Sequence, residues 1–210
     1  MDAFKELIEV SEILNSPNGC AWDNKQTFLT LQAFVIEEAH ELIEAVDEDD
    51  TQKIIEELGD LLYVVIFYCK VAAKQGRFTL DDVSQMEKEK LIRRHPHIFG
   101  DVKVKDADEV VKNWELIKKE EKNHSDRKSA LDGIPKTLSL LIKAQKVMKR
   151  LKRADFPVEL DSQDIGDQFL ALIQKAESQD VDAESALRRA LQKQESDFRE
   201  RENTLQNNLE

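Results

Sequence analysis

Residues 36–62 read IEEAHELIEAVDEDDTQKIIEELGDLL. The stretch is strongly acidic, yet its apolar residues recur at helical spacing on both sides of the run DEDD at 47–50. Residues three and four apart share a helix face. In the helix predicted over about 28–47, Leu31, Phe34, Val35, Leu42 and Ala45 form an apolar stripe. Glu38 stands on or beside that stripe, and Glu41, three residues on, lies at the same edge. Glu44 turns toward the rim, and Glu37 is one position off the stripe. In the helix predicted over about 52–75 the stripe is Ile54, Leu58, Leu61, Leu62 and Val65. Glu57 and Asp60 stand at its margin, again three residues apart.

The corner between the two helices is short, so they are expected to pack antiparallel. Counted from Thr51, Glu38 and Glu41 lie ten to thirteen residues back, and Glu57 and Asp60 six to nine ahead. With axes ~8–10 Å apart, the four carboxylates converge at about one level. Without a cation they would repel and lose hydration, at a cost of several kcal/mol per buried ion. On a single helix such a Glu pair reads as a solvated face. Matching pairs beside two apolar faces point instead to a hard divalent ion, with Mg²⁺ suited to oxygen ligands and able to keep waters that phosphates displace. No Cys or His cluster proposes zinc. Asp47 to Asp50 are assigned to a solvated corner, with Asp50 or Thr51 as the cap of the next helix.

Composition bounds the rest. The 210 residues are 35% charged and 40% hydrophobic, with six Gly and four Pro, too little turn chemistry for an all-β fold. The net charge of −12 excludes non-specific binding to a nucleic-acid polymer, which needs a basic surface, but not to free nucleotides. Cys20 and Cys69 make no disulfide framework, and Cys69 reads as a buried thiol. The start, MDAFKELIEV, lacks a signal-peptide pattern, and the longest apolar run, Leu61 to Cys69, is too short to span a bilayer. A cytoplasmic protein with no membrane segment is expected.

Further helices are predicted at 2–14, after Thr79 and ending before His95-Pro96, around 107–121, at 137–153, 164–178 and 182–205, with HPHIFGDVKVKD (95–106) as a loop. NSPNG (15–19) is turn chemistry, and Gly76 closes the second long helix. The fold class is all-α. The expected organisation is a catalytic helical domain over 1–122, a linker over 123–136, and a shorter helical region over 137–210. ELGDLLYVVI (57–66) echoes DIGDQFLALI (164–173), which suggests a duplication.

The ordered motifs carry a resemblance. EEAHE (37–41) followed by ELGD (57–60) resembles the MazG family of nucleoside triphosphate pyrophosphohydrolases. NGCAWDNKQT (18–27), EELGDLLYVVIFY (56–68), QGRF (75–78), KLIRRHPHIFGD (90–101), NWELIKKEEK (113–122) and ALDGIPKTLSLLIKAQKVMKR (130–150) extend it over residues 1 to about 155. The resemblance implies a metal-centred helix bundle, a homodimer, and Mg²⁺-dependent hydrolysis of nucleoside triphosphates to NMP and pyrophosphate, in nucleotide-pool sanitation. Mn²⁺ is a possible substitute. It implies Glu38, Glu41, Glu57 and Asp60 as catalytic metal ligands, and Lys53, Lys90, Arg94 and Trp114 as substrate-binding residues. Arg93 reads equally as compensation of a helix dipole, and His95 and His97 as turn residues or phosphate contacts. Trp22 either lines a base pocket or staples the connector to the core.

The second copy departs from the family pattern. Asp164 replaces the Glu of the Gly-Asp motif, the acidic helix before it is missing, and KQESDFRERE (193–202) lacks a counterpart of Arg93-Arg94. The C-terminal region is therefore expected to bind no metal and to serve structure or dimerisation. Two alternatives stand beside the enzyme reading: a non-catalytic helical interaction protein that keeps the fold, and a narrower pyrophosphatase for dUTP or dCTP.

Overall fold

The computed structural model describes residues 3–121 and 129–207. All regular structure among them is helical, and the all-α expectation holds. The helices are α1 (Ala3–Leu14), α2 (Leu31–Asp47), α3 (Thr51–Lys74), α4 (Leu80–Arg94), α5 (Pro96–Phe99), α6 (Ala107–Glu120), α7 (Leu140–Arg153), α8 (Ile165–Ser178) and α9 (Ala183–Asn207), with a 3₁₀ turn at Asp23–Lys25. They fall into two compact units, Met1–Lys118 and Lys119–Glu210. Of the expected linker, residues 123–128 lie outside the described residues.

The first unit is built on the α2–α3 pair. Its core is Leu31, Phe67 and Val71, with Phe28, Phe34, Tyr63 and Tyr68 packed against it. The rotation of α3 differs from the expected stripe: Val64, Ile66, Phe67, Cys69, Val71 and Ala72 are buried, while Leu58, Leu62 and Val65 are exposed. The helix is apolar on more than one face, and periodicity alone does not say which face the chain covers itself. The corner is made by acids with distinct roles. Asp49 takes a left-handed conformation (φ 56°) as α2 ends, and Asp50 N makes a hydrogen bond to Ala45 O at 3.2 Å. The Asp50 carboxylate accepts from Gln52 N and Lys53 N at 3.0 and 3.2 Å, capping α3. DEDD is thus structural as well as solvated.

The ends of the elements follow from local hydrogen bonds. The start of α2 is Leu31 rather than Phe28, because Thr27 and Thr30 bond each other's backbone through their hydroxyls. α3 ends at Lys74, capped by Gln75 and followed by Gly76, whose φ of 64° favours glycine, and Arg77 after it lies 4.4 Å over the Phe28 ring. Thr79 and Asp82 form a reciprocal capping box on α4. HPHIF, expected as loop, contains the short helix α5, with Pro96 in the first turn where its missing N–H is no loss. α1 is tied to α3 by Lys70–Glu12 at 2.9 Å, and Lys74 Nζ donates to Asn15 Oδ1 and Asn24 Oδ1 at 3.3 and 2.7 Å.

The second unit packs α7, α8 and α9 around Met148 and Ile173. Ser139 caps α7, so that helix begins at Leu140 rather than 137. Arg150 donates to the carbonyls of Ala130 and Asp132 at 2.8 and 2.6 Å, and Lys152 pairs with Glu177 at 2.8 Å. Among the described residues, no helix is long and apolar enough to cross a membrane.

Candidate metal centre

The acids of α2 and α3 meet where the two helices face each other. Glu38, Glu41 and Glu57 each present a carboxylate oxygen, and these atoms lie within 4.8 Å of one another. The spacing of three residues keeps Glu38 and Glu41 on one flank of α2, and the capped corner fixes how far along α3 Glu57 stands. Glu41 and Glu57 face each other across the helix pair, and the proximity of Glu41 favours the protonated form of Glu57. Burial first, and then the charges of Asp60, Glu41, Glu57 and Glu37, hold the Glu38 carboxyl above the ordinary carboxylate range. Glu57 is raised in the same way, by burial first and then by Glu41, Glu56 and Asp60. Asp60 stands outside the trio but is the first charge acting on Glu38.

One atom in this cluster lacks what a buried polar atom needs. Glu38 Oε2 is buried and has no hydrogen-bond partner. Buried polar groups are almost always paired, because desolvation without a partner is costly. An all-oxygen donor set with an orphaned buried oxygen fits a hard divalent cation. Oxygens ~2.0–2.1 Å from Mg²⁺ can stand no more than about 4.2 Å apart. The oxygens lie within 4.8 Å of one another, so simultaneous ligation by the trio needs a contraction of at most about 0.6 Å for a pair on opposite sides of the ion.

The residues expected to bind substrate are placed as follows. Lys53, in the first turn of α3, pairs with Glu48 at 2.6 Å across the corner, and the hydrogen bond and charge of Glu48 raise its pKa. Lys90 pairs with Glu87 on α4. Arg94 lies over the Trp114 ring, 5.3 Å from its centroid, so the end of α4 and the middle of α6 bring these two together. Lys118 lies over the same ring at 4.7 Å, a second cation that the sequence reading did not single out. His95 Nδ1 is 2.6 Å from Leu91 O and its ring is 5.6 Å from that of His97, an arrangement of the turn. Trp22 packs edge-on against Phe34 at 5.8 Å and against Phe67 at 6.4 Å, yet stays largely exposed.

The echo of this site in the second unit has a different use. Asp164 is the N-cap of α8, accepting from Asp167 N at 2.9 Å, and Asp167 accepts from Asp161 N at 2.8 Å. These carboxylates satisfy the backbone groups of a helix start.

Residues 26–99 match the model of the MazG nucleotide pyrophosphohydrolase domain. The chain is also 36% identical over 229 residues to the nucleoside triphosphate pyrophosphohydrolase of Escherichia coli K12, covering 95% of this chain and 87% of that protein. The chain belongs to the MazG family. A second MazG relative, the nucleoside triphosphate pyrophosphohydrolase/pyrophosphatase MazG of Thermotoga maritima, is 37% identical, with 97% of this chain and 87% of that protein covered. The protein YabN of Bacillus subtilis is 50% identical over 146 residues, 70% of this chain, but the match spans only 30% of YabN. Among solved structures, a mazG-related protein from Thermotoga maritima is 31% identical with a TM-score of 0.48, covering 55% of this chain and 98% of that one. The matched residues include both helices that carry the acidic trio.

Proposed function

We propose that the chain hydrolyses nucleoside triphosphates between the α and β phosphates, releasing a nucleoside monophosphate and pyrophosphate, with Glu38, Glu41, Glu57 and Asp60 holding Mg²⁺. The observation that carries this reading is the convergence of three carboxylates around the unpartnered buried oxygen of Glu38. The relatives from Escherichia coli and Thermotoga maritima, whose names state this activity, support it. A divalent ion bound there supplies positive charge that polarises phosphate oxygens and neutralises charge on the reacting phosphate.

The chain's own residues do the rest. Water attacks the α-phosphorus, the bond from that phosphorus to the oxygen bridging the β-phosphate breaks, and pyrophosphate leaves with the bridging oxygen. A carboxylate of the α2–α3 set takes the proton from the attacking water. Lys53, Lys90 and Arg94 are cations for the triphosphate, with Lys53 and Lys90 exchanging their present carboxylate partners for phosphate. Trp114 holds Arg94 in place through its ring face.

The proposed assembly is a homodimer. Ile36, Leu58, Leu62 and Val65 leave apolar surface exposed on the two helices that carry the acids, and a second copy of the same helices would cover it. The capping roles of Asp164 and Asp167 support a second unit, over 137–210, that holds no metal and serves structure or assembly. Mn²⁺ is expected to substitute for Mg²⁺, and the cellular role proposed is removal of surplus or modified nucleotides in the cytoplasm, without binding to nucleic-acid polymers or membranes.

Purified protein incubated with each NTP and dNTP, with products identified by ion-exchange chromatography, tests the reaction. NMP and pyrophosphate in equal amounts are expected; orthophosphate alone would overturn the mechanism. Glu41→Gln and Asp60→Asn should abolish cation-dependent turnover while the circular dichroism stays helical, and unchanged rates would remove the site. Light scattering after size exclusion reads the dimer directly.

A further inference from the structure

Beside the carboxylates stands a group of side chains with no role in the reaction as derived. Phe34 is one turn before Glu38 on α2, and Tyr63 is three residues after Asp60 on α3. Both steps lead away from the corner, so the rings flank the acids at the same end of the helix pair. Phe67 lies 5.7 Å from Tyr63, and Trp22 meets Phe34 and Phe67 at 5.8 and 6.4 Å. Trp22 remains 53% exposed, which leaves this aromatic wall open on one side.

Next to Trp22 is Asp23, only 7% exposed. Its carboxylate has no hydrogen bond or ion pair among the described residues. The cations of α3 that reach this connector are committed elsewhere: Lys74 donates to Asn15 and Asn24, and Lys70 to Glu12. The Tyr63 hydroxyl is buried without a partner. Burial first, and then the neighbouring Asp23 and Cys20, keep that hydroxyl protonated to higher pH than usual. An unpaired carboxylate that keeps some contact with solvent, and a buried, unpaired phenol, stand beside these aromatic rings. A buried phenol left unpaired is costly, and a carboxylate beside it has its accepting capacity free.

We propose that Asp23 and Tyr63 are specificity-determining residues that read the nucleobase, favouring bases that carry an amine beside a ring nitrogen acceptor, namely cytosine and adenine, over uracil and hypoxanthine. This rests on the reading of the chain as a nucleoside triphosphate hydrolase. A carboxylate only accepts hydrogen bonds, and a phenol can donate one. Cytosine presents the N4 amine as donor next to N3 as acceptor, and adenine presents N6 next to N1. Asp23 takes the amine and Tyr63 donates to the ring nitrogen. Uracil and hypoxanthine place a carbonyl oxygen against the carboxylate and an N–H against the phenol, so both pairs fail. The bases stack against the open wall in either case, which confines the discrimination to the polar edge.

The test compares kcat/KM for CTP against UTP, and for ATP against ITP, in the wild type and in Asp23→Asn and Tyr63→Phe. An unpaired buried polar group corresponds to about 10- to 100-fold, so the wild type should favour CTP and ATP by that factor. In Asp23→Asn the ratio should fall toward 1, because the amide can donate or accept. Tyr63→Phe should lower the ratio by a smaller factor. Equal wild-type rates, or a loss in Asp23→Asn that is the same for every base, would overturn the proposal, the second outcome marking Asp23 as purely structural. Calorimetric titration with CMP and UMP reads the same preference without turnover. If no nucleotide is hydrolysed, the proposed reaction fails while this arm still decides the base preference, and CMP and UMP binding equally would end the inference.

Discussion

Removing one carboxylate from the acidic trio should stabilise the cation-free protein and at the same time cancel its stabilisation by Mg²⁺. In the absence of a cation, Glu38 and Glu57 are both held above the ordinary carboxylate range, by burial first and by their acidic neighbours next. The folded unit then binds more protons than the unfolded chain wherever pH lies between the unfolded and the raised folded values. Stability falls with rising pH where the native state holds the extra protons. The contribution is therefore fully present below about pH 4, and it is lost as pH rises through the raised values. At pH 8 in chelator the trio opposes folding, and Glu57→Gln removes one charge and supplies an amide that can donate to a neighbouring carboxylate. The variant should melt above the wild type at pH 8 in EDTA, and the gap should close at pH 4.

Mg²⁺ reverses the order. A ligand at one hundred times its Kd stabilises the state that binds it by about 2.7 kcal/mol. At roughly 3–4 °C per kcal/mol for a unit of this size, the wild type should gain about 8–11 °C. Glu57→Gln loses one of the three oxygens that lie within 4.8 Å of one another, and its gain should shrink to a few degrees. Scanning calorimetry from pH 4 to 8, with EDTA and with Mg²⁺, gives all four comparisons. A lower melting temperature for Glu57→Gln in EDTA at pH 8 would refute the electrostatic argument. An undiminished Mg²⁺ shift in the variant would refute the ligand assignment, whatever the fate of turnover.

Leu31 is 1% exposed at the centre of the core cluster, so Leu31→Ala should cost about 2–5 kcal/mol in urea unfolding. Thr79→Ala should cost about 1 kcal/mol by removing half of the capping box on α4. Because the Thr79 hydrogen bonds hold the Asp82 carboxyl below its usual range, that stabilisation is present above the unfolded value and lost as pH falls through the folded one; the penalty should therefore fade in strong acid. Asp164→Ala should cost about 1 kcal/mol of stability in the second unit and leave both turnover and the Mg²⁺ shift unchanged, since that carboxylate serves a helix start.

The acids were legible in the sequence because helix geometry converts spacing into direction. A step of three from Glu38 to Glu41, and a corner capped by Asp50, are enough to aim α2's acids at Glu57. The rotation of α3 was not legible for the same reason that it is useful. IIEELGDLLYVVIFYCKVAA is apolar on more than one face, and no periodic rule says which face packs on Leu31 and which stays exposed at Leu58, Leu62 and Val65. The short helix α5 escaped because a Pro two residues past a helix end reads as a stop, although Pro also suits a new first turn. Tyr63 escaped because its neighbour Asp23 is distant in sequence, whereas Lys118 stands one turn after Trp114, a spacing that was readable.

The second unit shows why a motif has to be weighed with its surroundings. Glu57-Leu-Gly-Asp60 and Asp164-Ile-Gly-Asp167 differ by one methylene in their first acid, a small change in chemistry. Their positions differ far more. Glu57 lies in the second turn of a helix whose start is already capped by Asp50, so its carboxylate is left to face α2. Asp164 is itself the first cap of α8, with a side chain short enough to reach Asp167 N. No acidic helix precedes it to supply opposing carboxylates. A carboxylate that satisfies a helix start is not free to ligate, and restoring Glu at 164 alone would weaken the cap without creating a site. A cation site on these acids would need α2, the corner and α3 together, whereas the Gly-Asp motif of α8, without them, serves a helix start.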